Sequence, residues 1–522
     1  MKLRLLSIAT LLQLSALPFT TIFAQQTNTT TVQKLNKTDV NAIIKEANEH
    51  SHLEQYAYEL LDLIGPRLVG SPQMLQANNW VVETYKKMGI VATNEAYGEW
   101  KAWQRGNTSI ELITPRVQQL RGMQLAWNVN LKKPIQATTI IMPYFKTEAE
   151  FDAWKTQAKG KLVLIAPYYN SGRPLAQWKE NALEEDYLNY KKEYDSTLNA
   201  FNSFKATLNK RVVGLEQAGA AGIIHSQWTG DAGSNRVFDS KTTNIPSVDI
   251  QYEDYALLYR LTKNGAAPTV KINTQSKDLG KTTVYNTVAT IPGTSKSDEY
   301  ILLSAHLDSW DGAQGACDNG TGTILMMEVA RIIKAVCPNP TRTIIIGHWG
   351  SEEQGLNGSR AFVKDHPELM SKIKASFNQD SGTGRINAID GQGFLNSYDY
   401  LTRWLSKVPE DIKKEISTSF PGTPQVHGTD NVSFVAAGVP AFNLRTQSWN
   451  YRDYTWHTVN DTHDKIVWSE MKRNAITTAI LAIEAANDPN EISNERRLLP
   501  MDENGNRGTW PDMKAPERKG RL

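Results

Sequence analysis

The chain has 522 residues, 40% of them hydrophobic and 21% charged, with 57 Lys and Arg against 55 Asp and Glu for a formal charge of +2. That is the composition of an ordinary globular protein large enough for more than one domain. So even a balance of charge gives no electrostatic case for nucleic acid or for insertion at an anionic membrane.

At the N-terminus Lys2 and Arg4 precede an apolar run over 5–24, interrupted by Gln13 and Pro18. This pattern predicts a secretory leader over 1–24, cut after Ala24, and hence a secreted or periplasmic protein. A membrane anchor fits less well, because the run is broken and no stop-transfer flank follows it. Residues 25–38 are rich in Asn and Thr and are expected to form a flexible spacer. Helical patterning begins near Asp39, and Ser71 and Pro72, closing the string IGPRLVGSP, are start signals for a helix ending at Gly89.

Between 128 and 277 the character changes. Strand-like KLVLIAP (161–167), a long charged and aromatic helical stretch (175–208) and the run AGAAGIIH (218–225) predict a smaller α+β region inserted into a larger fold. After Pro489 the residues to 522 carry many charges, Pro and Gly with little periodicity, and are expected to be loose surface chain. Cys317 and Cys337 bracket a predicted helix of about 18 residues, which at ~1.5 Å rise separates them by roughly 27 Å, so both are expected to be free thiols.

The second half of the chain carries the chemistry. Apolar runs at 300–305, 343–349 and 375–379 each stop at metal-grade side chains, respectively His306, the pair Glu352 and Glu353, and Asp380. Helical stretches at 323–336 and 358–370 alternate with them, which predicts an α/β fold with a mixed, mostly parallel sheet sandwiched by helices. In such sheets, residues beyond the carboxyl ends of the strands converge at one edge. Adding Asp318 and His457 gives five imidazole and carboxylate donors, about the number that two zinc ions sharing one carboxylate require.

Asp318 lies in the short turn GACDNG before a helix and is the expected bridging ligand. Asp308, two residues past His306, is placed to hold the other ring nitrogen with its carboxylate and counts with the catalytic group. Of Glu352 and Glu353 one should ligate and the other act as general base, because neighbours on an extended segment point in opposite directions. Other templates are missing: no HExxH helix, no GxSxG elbow, no Walker loop and no dinucleotide fingerprint.

The strings HLDSWDGAQGACDNGTG, GHWGSEEQGLNGSRAF, NQDSGTG and WHTVNDTHDKI, in that order, resemble the co-catalytic zinc exopeptidases of the aminopeptidase and glutamate carboxypeptidase superfamily (peptidase clan MH), on the carboxypeptidase Q-like branch. The resemblance implies the zinc exopeptidase fold in two parts, 39–127 and 278–488, around a protease-associated insert at 128–277. It implies two Zn2+ ions, one held by Asp318, Glu353 and His457 and the other by His306, Asp318 and Asp380, with Glu352 as base. The substrates it implies are short peptides, with access limited by the insert. It admits a homodimer.

Several relatives carry a tyrosine directly before the last histidine ligand, where this chain has Trp456, so Tyr454, Tyr451 or His427 must supply any donor to the tetrahedral oxyanion. His427, Tyr454 and Arg445 are the substrate-binding candidates, Arg452 is a second cation upstream of His457, and Trp310, Trp349, Trp449 and Trp456 are candidate walls of an apolar pocket. Amino-terminal, carboxy-terminal and dipeptide specificity all stay open. Two alternatives use the same fold: a glutaminyl cyclase-type enzyme with a single zinc, and a receptor-like binding protein whose metal site is lost. The intact set of five donors favours the peptidase.

Overall fold

The computed structural model describes residues 39–521. The leader and the spacer expected at 25–38 lie outside the described residues. Local signals near the start act as read: Asp39 caps helix Val40–Glu49 by accepting from the Ala42 N–H at 3.0 Å, and Ser71 Oγ caps helix Pro72–Lys87 by accepting from Met74 N–H at 3.1 Å.

The sheet that positions the site is centred on strand Lys296–His306, flanked in parallel by Arg342–Trp349 and Ile373–Asn378, with Ala441–Asn443 parallel beyond the latter. On the other side Arg342–Trp349 pairs antiparallel with Thr269–Ile291, which pairs antiparallel with Val91–Thr114, so the sheet is mixed. Alternation along the buried strands divides the core. Ile301, Leu303, Ala305, Ile344 and Ile346 pack against helices Thr321–Val336 and Trp468–Asn487, whereas Leu302, Ile345 and Trp349 face Phe362 and Phe434 on the opposite side. Both faces are covered, and polarity is left to the strand ends.

Thr269–Ile291 and Val91–Thr114 run on past the catalytic strands. Near its start Thr269–Ile291 pairs with Ile135–Ile141, from which Leu162–Leu164, Gly222–His225 and Ser247–Ile250 continue in parallel order. These strands have cores of their own: Leu162, Ile224, Val248 and Tyr255 on one side, and Phe151, Val163, Phe204 and Ile223 beneath the 34-residue helix Glu184–Gln217 on the other. The boundary drawn from sequence at 277 falls within a continuous strand.

The segment after Pro489 departs from the expected loose chain. Trp510 packs edge-on against Phe394 with centroids 5.3 Å apart and lies under Arg496, Glu517 N–H donates to Asn357 Oδ1 at 2.8 Å, and Lys519–Gly520 pairs in parallel with Glu99 and Trp100. The open edge of the long strand supplies the backbone partners that composition does not reveal. A side chain at Gly520 would collide with the Trp100 ring. Among the described residues no helix is long and apolar enough to cross a membrane, and Cys317 and Cys337 are both free and buried.

Candidate metal centre

Register brings the motif residues to one edge. Trp349 sits beside His306 and Asn378 beside Ser304, so the turn after 349, the last residue of the central strand and the loop at Asp380 emerge together. His306 Nε2 lies 3.3 Å from Asp318 Oδ1 and 3.3 Å from Asp380 Oδ1. His457 Nε2 lies 3.1 Å from Asp318 Oδ2 and 2.8 Å from Glu353 Oε2. Each oxygen of Asp318 thus faces a different imidazole. The two triads, His306, Asp318, Asp380 and Asp318, Glu353, His457, each gather their donor atoms within 4.8 Å of one another.

The donor set fits divalent cations. Asp318 Oδ2 and Glu353 Oε1 are buried yet make no hydrogen bond to any described residue, an arrangement that is costly unless a cation completes it. Electrostatics point the same way. Burial opposes charge on His457, but Glu353 and Asp318 outweigh it and push its ring up to about 10. His306 is likewise raised well above its usual value against burial, by Asp380 and Glu352, while burial and then Asp318 push the Glu353 carboxyl up to about 7. The cluster calls for positive charge.

Two expectations about the surroundings change. Asp308 does not hold His306 with its carboxylate: its main-chain carbonyl accepts from Nδ1 at 3.0 Å, and the nearer carboxylate oxygen is 3.6 Å away. The carboxylate instead accepts from the backbone N–H groups of Glu352 at 3.1 Å and Glu353 at 3.3 Å. The chain bends sharply past the strand end, so the carbonyl swings under the ring and the side chain is freed to shape the next loop. That loop is a turn rather than an extended segment, with Ser351 at φ 51°. Glu353 meets His457, whereas Glu352 faces the main cavity, where burial followed by repulsion from Asp380 and Asp430 outweighs the pull of His306 and raises its carboxyl well above the ordinary range.

Three supporting groups escaped sequence reading, although Asp461 and Arg67 lie in strings already quoted. Asp461, four residues past His457, accepts from the N–H groups of Cys317 at 2.6 Å and Asp318 at 3.0 Å, fixing the bridging turn. Arg67 is fully buried and donates to the carbonyls of Leu307, Gln314 and Gly315 at 2.7–2.8 Å, tying together the loops after His306 and before Asp318. Asp430 is fully buried with both oxygens unpartnered among the described residues, and burial pushes its carboxyl up to about 7. Nothing local distinguishes these charges from solvated ones; burial is their only signature.

His457 has φ 61°, a left-handed backbone rare for a side chain of this size, and it is held from several sides. Trp456 stacks on its ring at 3.9 Å, Phe238 meets it edge-on at 5.2 Å, and Trp310 lies 6.2 Å away. The Val237 N–H donates to the His457 carbonyl at 2.9 Å, and Ser234 Oγ donates to the Tyr454 carbonyl at 3.2 Å. The stretch 128–277 touches the segment carrying His457 through residues 231–238, of which 234–238 meet His457 and its turn.

A cavity of about 1050 Å³ opens onto Asp318, Glu352, Glu353, Asp380 and His457. His427 and Tyr451 line it, the latter with its phenol raised well above the ordinary value by burial and the neighbouring carboxylates. Tyr454 and Arg445 do not. Arg445 is exposed on a short edge strand and pairs with Asp390 at 3.0 Å, and Tyr454 lies on the far side of the turn Tyr451–Thr455, its ring 5.7 Å from Lys465 Nζ. Of the four tryptophans, Trp456 lines the cavity, Trp310 backs His457, Trp349 is core between Phe362 and Phe434, and Trp449 is 55% exposed. Nor does any residue of 128–277 line the cavity; Pro511 to Ala515 of the C-terminal segment do.

Residues 286–482 match the family model described as Peptidase family M28. Carboxypeptidase Q of Mus musculus is 25% identical over 86% of this chain and 90% of its own length. The solved Peptidase M28 precursor from Shewanella amazonensis SB2B superposes with TM-score 0.66 at 24% identity, covering 89% of this chain and 98% of the other. BSAP, a zinc aminopeptidase from Bacillus subtilis, does so at 0.55 and 18%, covering 85% and 97%; these two likenesses concern the fold. With the catalytic stretch matched and the donors at its sheet edge, the molecule is a metallopeptidase, and peptides are its substrates. Over most of its length the chain is similar to carboxypeptidase Q, and its catalytic stretch to Peptidase family M28.

Proposed function

We propose that this protein is an exported di-zinc exopeptidase hydrolysing short peptides. The observation that carries the reading is Asp318, whose two oxygens each face one imidazole within a separate triad. His306, Asp318 and Asp380 would hold one Zn2+ and Asp318, Glu353 and His457 the other. Zinc in such a site supplies Lewis acidity, lowering the pKa of water and polarising a carbonyl oxygen. Glu352, buried and facing the cavity, takes a proton from the attacking water and returns it to the leaving amine. Tyr451 keeps its proton and is the phenol available to donate to the oxyanion where Trp456 cannot.

Restriction to short peptides is supported by the C-terminal segment at 511–515, which walls the cavity between anchors at Trp510 and Glu517. For 128–277, read as a protease-associated insert, the contacts at 234–238 support a clamp on the His457 loop rather than a gate. Metal analysis of purified protein tests the proposal. Two zinc ions per chain are expected, with dipeptide hydrolysis lost on chelation and restored by zinc. One ion per chain would instead match the cyclase alternative and none the receptor alternative.

A further inference from the structure

The two triads are supported in different ways. His306 ends the central strand and Asp380 follows Ile373–Asn378 by two residues, so the sheet itself aims them. His457 follows the turn Tyr451–Thr455, with no strand of the central sheet leading into it. Trp449, Asn450 and His457 all have left-handed backbones, at φ 44°, 56° and 61°, and such a run persists only where its surroundings hold it. Much of that hold comes from residues 231–237. Asp231 Oδ2 accepts from Asn450 Nδ2 at 2.7 Å, Ser234 Oγ donates to the Tyr454 carbonyl at 3.2 Å, and the Val237 N–H donates to the His457 carbonyl at 2.9 Å.

Arg236 makes three of its contacts with this turn through one guanidinium. Nη2 donates to the Arg452 carbonyl at 2.8 Å and lies 3.6 Å from Asp453 Oδ1, and Cζ stands 5.0 Å from the centre of the Trp456 ring, which stacks on His457 at 3.9 Å. The side chain is only 22% exposed, so water weakens these contacts less than it would at an open surface. Its platform is rigid. Next to it Asn235 Nδ2 donates to Asp249 Oδ1 at 2.7 Å and to the Ile250 carbonyl at 2.8 Å, and Trp228 stacks on Tyr252 at 4.5 Å, which ties this loop to the body of the insert.

We infer that Arg236 is a positioning residue for the metal centre: through the Arg452 carbonyl and the Trp456 ring it fixes the turn that aims His457 at Asp318 and Glu353 and presents Tyr451 to the cavity. Arg236 does not itself line the cavity, so it acts through the turn and not on substrate. The inference rests on the di-zinc peptidase reading and adds to it that one metal site, and not the other, depends on the inserted region.

The test is Arg236→Ala, with Arg236→Lys as the variant that keeps the charge and loses the fork. In zinc-loaded protein challenged with a chelator, one of the two equivalents is expected to leave about tenfold faster in Arg236→Ala while the other leaves at the wild-type rate. For a dipeptide, kcat is expected to fall about 30-fold with KM within about twofold, and Arg236→Lys to fall between in both measurements. Amide exchange in purified protein gives a reading that needs neither full metal loading nor activity: exchange over 450–457 is expected to rise roughly tenfold in Arg236→Ala, with strand Lys296–His306 unchanged. Wild-type exchange at the turn, or two equivalents that accelerate together, overturns the inference; should Arg236→Ala fail to fold, wild-type zinc release from Arg236→Lys overturns it. Wild-type protein that holds fewer than two zinc ions, or loaded protein that cleaves no peptide, overturns the di-zinc peptidase reading instead, and the exchange measurement then still decides the role of Arg236.

Discussion

Two histidines end buried strands in this molecule, and their fates differ. His306 closes Lys296–His306 and meets Asp318 and Asp380; His225 closes Gly222–His225, whose partner in register is Asp249, and its Nε2 is buried with no partner among the described residues. Burial pushes His225 down to about 4 and keeps it neutral. Asp249 is satisfied by neutral donors, Asn235 Nδ2 at 2.7 Å and the Gln227 N–H at 2.8 Å, so no oxygen is left over. At the catalytic edge three carboxylates meet two imidazoles and oxygens remain unpaired. A strand end by itself makes no site; an excess of converging anionic donors does.

That contrast can be broken or sharpened by substitution. Glu352→Gln removes the base while leaving the five donors, and kcat is expected to fall about a thousandfold with metal content intact; near-normal turnover would remove Glu352 from the mechanism. Asp461→Asn weakens the two backbone bonds that fix the Asp318 turn, and zinc affinity is expected to drop roughly 10- to 100-fold in a chelator competition. Phe238→Ala takes away the edge-on contact that the 234–238 loop makes with His457. Its expected result is a loss in kcat/KM of about tenfold or less, together with faster zinc release; unchanged release would mean the loop does not hold the ring.

The smallest effect belongs to Asp249, away from the metal centre. Burial pushes the Asp249 carboxyl up to about 7 from its ordinary value of 3.8, so the folded protein holds this proton where the unfolded chain has released it. The associated stability is fully present below about pH 4 and is lost as pH rises toward about 7. Asp249→Asn is expected to flatten that slope in Tm measured across the window, with peptidase activity at neutral pH retained. A Tm difference that does not vary with pH would show that Asp249 does not titrate there.

Much of the fold was legible because its signals are local. Asp39 and Ser71 cap the helices they announce, and the runs at 300–305 and 343–349 lie in strands buried on both faces. The set His306, Asp318, Glu353, Asp380 and His457 could be listed from residue type and position, since a strand's end is where a buried run must become polar. At Asp308 the carbonyl, not the expected carboxylate, meets the His306 ring, because which group does so depends on a bend that spacing does not encode. Tyr454 and Arg445 stand outside the cavity for a related reason: nearness to His457 along the chain does not fix which way a turn or an edge strand points its side chains.

Sequence by itself determined the kinds of donor, their order and the strands that end at them, all of which follow from short-range periodicity and side-chain chemistry. Tertiary structure alone decided that Asp318 faces both imidazoles, that Asp461 and Arg67 brace its turn, and that a C-terminal segment walls the cavity. Those are matters of register, burial and long-range approach, in which residues more than a hundred positions apart set each other's charge and direction, and no window along the chain contains them.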